Sequence, residues 1–249
     1  IRSFMSEFSP ENHPESPLEF SRQLILVSAE NWNSTQAQLC RLERDVEGGD
    51  WTLIGAPIQV SLGKSGMAWG IGRHSLAIPE ARMKREGDGC SPAGIFAITA
   101  LFADESQEKD WVQMAKLPYL STHRSLKCID DPHSRHYNQI VDQNTLSEID
   151  WHSHEEMLRH DQRYAIGAVV AHNSIPSPAC AAGSCIFLHV WQHEGMPTAG
   201  CTASSFSDML TICRWLEGEK NPLLVQLPVS EYVRYQNAWG LPSVKICLR

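Results

Sequence analysis

The feature that most constrains this chain is a series of short apolar runs broken by glycine, proline or polar residues. The runs are QLILVSA at 23–29, IQVSLG and GIFAITALF within 48–102, YAIGAVVAH at 164–172, SCIFLHVW at 184–191 and LLVQL at 223–227. Runs of this length, with β-branched residues such as Val169 and Val170, read as strands. Glycine in GGDW and GMAWGIG supplies the positive φ that tight turns need. One segment has a helical period instead. Phe206, Met209, Leu210, Cys213 and Leu216 recur at helical spacing behind a Ser205–Asp208 capping pattern, predicting a helix over about 206–217 that stops at Gly218. Residues 35–47 fit a helix face through Leu39, Leu42 and Val46, or a strand. Residues 104–116 read as a surface helix or loop. The polar, aromatic and histidine-rich stretch 118–142 reads as elaborated loop with short strands, a wall for a cleft.

Many short strands and one clear helix predict a mostly β chain. Residues 1–20, with Pro10, Pro14 and Pro17, read as a tail, and 21–249 as a single domain. The 249 residues are 42% apolar and 20% charged, a globular composition rather than a disordered one. A formal charge of -8 argues against a general nucleic-acid binder, which needs basic surface for phosphates. No run is long enough to predict a membrane span. The chain begins at Ile1 without a basic-then-apolar leader, as a mature form would. Eight cysteines include no CxxC, so zinc-ribbon and thioredoxin spacings are missing.

Cys201 is the candidate nucleophile. Gly200 before it permits a tight turn, Ala199, Thr202 and Ala203 leave room for a substrate backbone, and the predicted helix begins about four residues later, where its amino end favours a thiolate. Backbone N–H groups at Gly200 to Thr202 are candidates for an oxyanion site. A buried cysteine in a turn is the alternative. His189 closes the apolar strand Ile186–Leu188, twelve residues before Cys201, and one loop return brings the two together as nucleophile and general base. His172, which also ends a buried strand, and His193, in the loop, are alternative bases or orienting groups.

GSCIFLH at 183–189 followed by MPTAGCTA at 196–203 resembles the active-site segment of the L,D-transpeptidase catalytic-domain family, in the branch with Pro-Thr-Ala-Gly-Cys. Lys84–Gly89 with Ser91–Phe96, Gly66–Gly70, and Tyr137 with Asn138 fit the same branch. The resemblance spans about 22–228. It implies a β-sandwich-like fold with short helices and long cleft-forming loops. It implies a cysteine acyl-enzyme on peptidoglycan stem peptides: Cys201 attacks the carbonyl of the diamino acid at position three, D-alanine leaves, and an amine or water resolves the thioester. His189 is then the base, and no cofactor is required. Such chemistry implies an exported, periplasmic or envelope location. The commoner branch has arginine two residues after the cysteine, where this chain has Ala203. Arg85, with Tyr137, Asn138 and Thr198, is a candidate for substrate binding.

Two other classes compete. His133, His136, His152 and His154 lie near acidic residues at spacings that suit a zinc-dependent peptidase, although no HExxH is present. A non-catalytic peptidoglycan-binding module would use aromatic faces such as Trp69, Trp111, Trp151 and Tyr137. Cys180 and Cys185, flanking a short turn, read as a bridge or as two core thiols. The oligomeric state is not encoded in any feature of the sequence.

Overall fold

The computed structural model describes residues 16–75, 81–104, 115–174, 177–243 of the chain. The expected tail lies outside these up to residue 15, as do most of 104–116, Trp111 and Cys247. Packing starts earlier than Arg22, because Leu18 is already in the core and the Ser16 hydroxyl donates to the Trp239 carbonyl at 2.7 Å.

Thirteen strands form among the described residues. In chain order they are β1 (Gln23–Ala29), β2 (Gln36–Glu43), β3 (Thr52–Ser61), β4 (Met67–Trp69), β5 (Ser91–Asp104), β6 (Tyr119–Thr122), β7 (Leu126–Cys128), β8 (Ile140–Asp142), β9 (Glu155–Glu156), β10 (Ile166–Val170), β11 (Phe187–Val190), β12 (Thr202–Ser204) and β13 (Leu223–Pro228). Two α-helices, α1 (Phe206–Trp215) and α2 (Val229–Tyr235), complete the described elements with short 3-10 turns. The open choice at 35–47 resolves as strand β2. Its alternate residues Ala37 and Leu39 are buried, a period of two rather than a helical one.

The expected sandwich is corrected. The main sheet runs β10-β11-β12-β3-β2-β1-β13-β5, and β5 pairs back to β10, so these eight strands form a closed barrel. Closure depends on the length of β5. Its Gly94–Ala97 segment pairs antiparallel with β13, and its Ile98–Ala103 segment pairs antiparallel with β10. One long strand therefore joins the two ends of the sheet, and closure removes the edges a sandwich would leave. Only β1–β13 and β11–β12 are parallel neighbours in the ring. β1 and β13 are buried along almost their whole length, as parallel strands covered on both faces are.

Strand alternation divides the apolar residues into two cores. Ile166, Ala168, Ile186, Leu188 and Val190 join the main core with β1, β5 and β13. Phe102, Tyr164, Phe187 and Cys201 instead join a second cluster with Leu126, Cys128 and Met157 from the 118–157 excursion. That excursion carries a separate three-stranded sheet, β8-β7-β9, in place of the expected long cleft-forming loop. A disulfide between Cys128 and Cys185 fastens it to the barrel. Cys180 is free and exposed and Cys185 is bonded to Cys128, so neither a Cys180–Cys185 bridge nor a pair of core thiols forms.

The helix α1 is placed as its pattern predicts. Ser205 Oγ accepts from the Asp208 N–H at 3.1 Å, and Met209, Ile212 and Cys213 are buried against β10 and β11. The helix α2 carries Tyr232 into the core and was not anticipated by its sequence.

Gly167 shows how tightly β10 fits. A Cβ there would lie 2.3 Å from Phe102 Cζ and 2.4 Å from the Leu188 carbonyl oxygen. The backbone oxygen cannot rotate away, so Gly167→Ala is expected to cost about 1–3 kcal/mol in urea unfolding. An unchanged midpoint would show that β10 does not pack as described.

Candidate functional site

Cys201 is held by a compact turn. Thr198 is locked to the barrel by its N–H to the Leu62 carbonyl and its carbonyl from Lys64 N–H, both 2.9 Å. Its hydroxyl donates to the Cys201 carbonyl at 2.6 Å and accepts from Gly200 N–H at 3.0 Å. Gly200 has φ +154°, and a Cβ there would sit 3.0 Å from the Cys90 carbonyl, so the turn requires glycine. Ser91 Oγ donates a second bond to the Cys201 carbonyl at 3.0 Å. Thr202 faces the interior. Its hydroxyl donates to Gln226 Oε1 at 2.7 Å, and Gln226 in turn donates to the Pro92 carbonyl. Its side chain is thereby an anchor between β12, β13 and β5.

Cys201 and His189 line one cleft of ≈ 270 Å³. His189 lies two residues beyond Phe187 on β11 and so shares its face, which turns outward from the main core. The cleft also takes Lys84, Glu86 and Thr198 from the barrel loops, and Asp130, Glu155, Arg159, Arg163 and Tyr164 from the excursion and the segment leading into β10. Sequence reasoning named Lys84 and Glu86 within a glycine-rich motif and Asp130 and Glu155 only as acids beside the histidines, and it missed Arg159 and Arg163. The one signal of those arginines was the dense run of charges between Glu155 and Tyr164, which has no apolar period.

The electrostatics of the pair correct the thiolate expectation. Cys201 is a free thiol, but it is buried, and burial followed by the nearby Glu155 carboxyl pushes it up to about 12. It accepts from Phe187 N–H at 3.3 Å and donates to the Cys185 carbonyl at 3.4 Å. His189 Nδ1–H donates to the Val190 carbonyl at 2.8 Å, and complete burial lowers its pKa to about 4. No hydrogen bond joins His189 to Cys201. The resting pair is a neutral thiol and a neutral imidazole, not a poised ion pair. The helix α1 offers no help, because β12 lies between Cys201 and its amino end, and the dipole effect fades beyond the first turn. With the thiol bonded to the Phe187 N–H and the Cys185 carbonyl and the His189 ring bonded to Val190 instead, the expected cysteine-dependent acyl transfer, as transpeptidase or carboxypeptidase, is corrected.

The other candidate bases lie elsewhere. His172 Nε2–H donates to the Ala182 carbonyl at 3.0 Å and its Nδ1 accepts from Ile71 N–H at 3.3 Å, so both nitrogens are committed to backbone. His193 is exposed, with Nδ1 against the Glu194 carbonyl at 3.3 Å. Arg85 is also exposed and does not line the cleft; its neighbour Lys84 does, ion-paired with Asp88 at 2.9 Å. Tyr137 lies behind the cleft and donates to Glu86 at 2.5 Å, and Ser184 donates to the same oxygen at 2.7 Å. Asn138 pins three backbones, donating to the His172 and Asn173 carbonyls and accepting from Cys185 N–H at 2.9 Å.

The zinc expectation is corrected as well. Among the described residues no three His, Cys, Asp or Glu side chains are grouped to hold a metal. Asp131 spends its carboxylate on the backbone N–H groups of His133 and His152, and His154 pairs with Glu156 at 3.0 Å. The rings of His136 and Trp151 meet edge to face at 5.9 Å. Of the aromatic faces proposed for a sugar-stacking module, the three among the described residues, Trp69, Trp151 and Tyr137, are buried.

No protein-family model and no curated protein matches the sequence. A solved structure, that of Bdellovibrio bacteriovorus Bd1075, is similar at 14% identity with a TM-score of 0.41, over 89% of this chain and 55% of that one. This chain therefore spans about half the length of that protein, and a likeness so weak carries neither fold nor function. With a closed barrel in place of the expected open sandwich, the resemblance to the L,D-transpeptidase catalytic-domain family is corrected.

Burial of the two imidazoles makes stability depend on pH. His172 and His189 are both lowered by burial to about 4 from an ordinary 6.5. Between those values the unfolded chain binds protons that the folded chain refuses, so stability rises with pH across this window and falls as pH drops from about 6.5 to 4. Urea midpoints at several pH values should show this slope, and His172→Gln should flatten it. An equal slope in the variant would assign the effect to other groups.

Proposed function

We propose that the cleft binds a short peptide bearing both ammonium and carboxylate groups, and that peptidoglycan stem peptides are its ligands. The observation that carries this reading is unmatched charge of both signs in one small cleft. Arg159 and Arg163 share a single carboxylate, Asp161, which they hold well below the usual carboxylate range. Two guanidiniums on one carboxylate leave positive charge for a ligand carboxylate, which arginine meets in a planar fork. On the acidic side, Asp130 Oδ1 is buried without a hydrogen-bond partner, and its charge reaches the half-buried Glu155 carboxyl, as does that of Glu86. A ligand ammonium would satisfy that oxygen, and an unmet buried acceptor is costly. Stem peptides present carboxylates and amines within a few bonds of each other, matching both sets.

The reading includes an exported location. The Cys128–Cys185 disulfide supports it, since such bonds persist in oxidising compartments. No described helix is long and apolar enough to cross a membrane.

Calorimetric titration with a stem tetrapeptide should give one-to-one binding. Arg163→Ala should weaken it at least about tenfold, the loss of one charge-assisted bond. Intact mass should show no covalent adduct, and no D-alanine should be released. Equal affinity in Arg163→Ala would remove the carboxylate site, and an adduct on Cys201 would replace binding alone with thiol chemistry.

A further inference from the structure

Cys185 occupies the junction of everything that shapes the cleft. Its Sγ is bonded to Cys128 at the end of β7, its N–H donates to Asn138 Oδ1, and its carbonyl accepts the Cys201 thiol. Cys185 itself has φ +53°, a left-handed conformation that side chains seldom adopt, so neighbouring bonds must hold it there. Cys185 and Ile186 also form a shared wall. On one side is the charged cleft, and on the other a second cavity of ≈ 200 Å³ lined by Thr99, Ile140, Val169 and Phe187. Cys185 and Ile186 are themselves buried, and between the two cavities the disulfide is the covalent tie that joins this wall to the excursion.

The tie also joins the two halves of the cleft. Asp130 follows β7 by two residues and Glu155 lies on β9, its hydrogen-bonded neighbour, so both acids belong to the excursion. Cys201 and His189 belong to the barrel. Cys128–Cys185 is the covalent link between them, across 57 residues of chain.

We infer that the Cys128–Cys185 disulfide is a redox clasp: oxidised, it holds the acidic wall against the barrel and keeps the cleft closed over Cys201; reduced, it releases that wall. The ligand arm of this inference rests on the peptide-binding reading above. A dithiol performs the step by giving two electrons and two protons to the S–S bond. Cys128 and Cys185 become thiols and the dithiol closes to its cyclic disulfide.

The test compares oxidised protein, protein reduced with dithiothreitol, and Cys128→Ser, all in a Cys180→Ser background to remove the exposed thiol. The first readout is the rate of iodoacetamide alkylation at Cys201, followed by peptide mass mapping. It should rise at least about tenfold on reduction and in Cys128→Ser. The second is affinity for the stem tetrapeptide, which should fall at least about fivefold. Near-ultraviolet circular dichroism should retain its folded signal throughout. An unchanged alkylation rate overturns the clasp, and so does global unfolding on reduction, which would make the bond a staple of the whole fold. If oxidised protein binds no tetrapeptide, the peptide-binding reading fails, and the alkylation rates still decide the clasp.

Discussion

The architecture depends on the pairing of one long strand on both sides. β5 is fourteen residues long, and its two halves pair with β13 and β10. Without that double use the sheet would remain open. With it, β10 and β11 are held in the ring with one face toward the main core and the other toward the excursion. The closeness of β10 to β5 at Gly167 is a consequence, since Phe102 of β5 fills the space a side chain would need.

Alternation along β11 then places chemistry. Leu188 faces inward, while Phe187 and His189 face the second cluster. The same cluster surrounds Cys201 with Phe102, Tyr164 and Phe187 and so keeps its thiol protonated. Burial is also what keeps His189 neutral. A motif that suggests an ion pair thus folds into a desolvated pair, because apolar surroundings penalise both charged forms. Charge in the cleft comes from residues outside the Cys–His segment: Lys84, Glu86, Asp130, Glu155, Arg159 and Arg163.

The polar layer beneath the cleft is equally dependent on tertiary contacts. Gln226, on a strand whose other residues are apolar, bridges Thr202 and the Pro92 carbonyl. Tyr137, Ser184 and Glu86 converge from segments far apart in sequence. Buried groups satisfied in this way rigidify the cleft floor, since each would be costly if left unpaired.

Local patterns alone determined the strands at 23–29, 164–172, 184–191 and 223–227 and the capped helix at 206, because periodicity and capping act over a few residues. The glycine turn before Cys201 was legible for the same reason. The closure of the sheet was not legible, because it depends on which distant strands share β5. The partner of Cys185 was equally hidden: sequence proximity offered only Cys180, or no bridge at all, whereas the excursion brings Cys128 to it. Protonation states in the cleft were decided only in three dimensions, since desolvation depends on every neighbour that excludes water, and those neighbours come from β5, β7, β10 and β11 together.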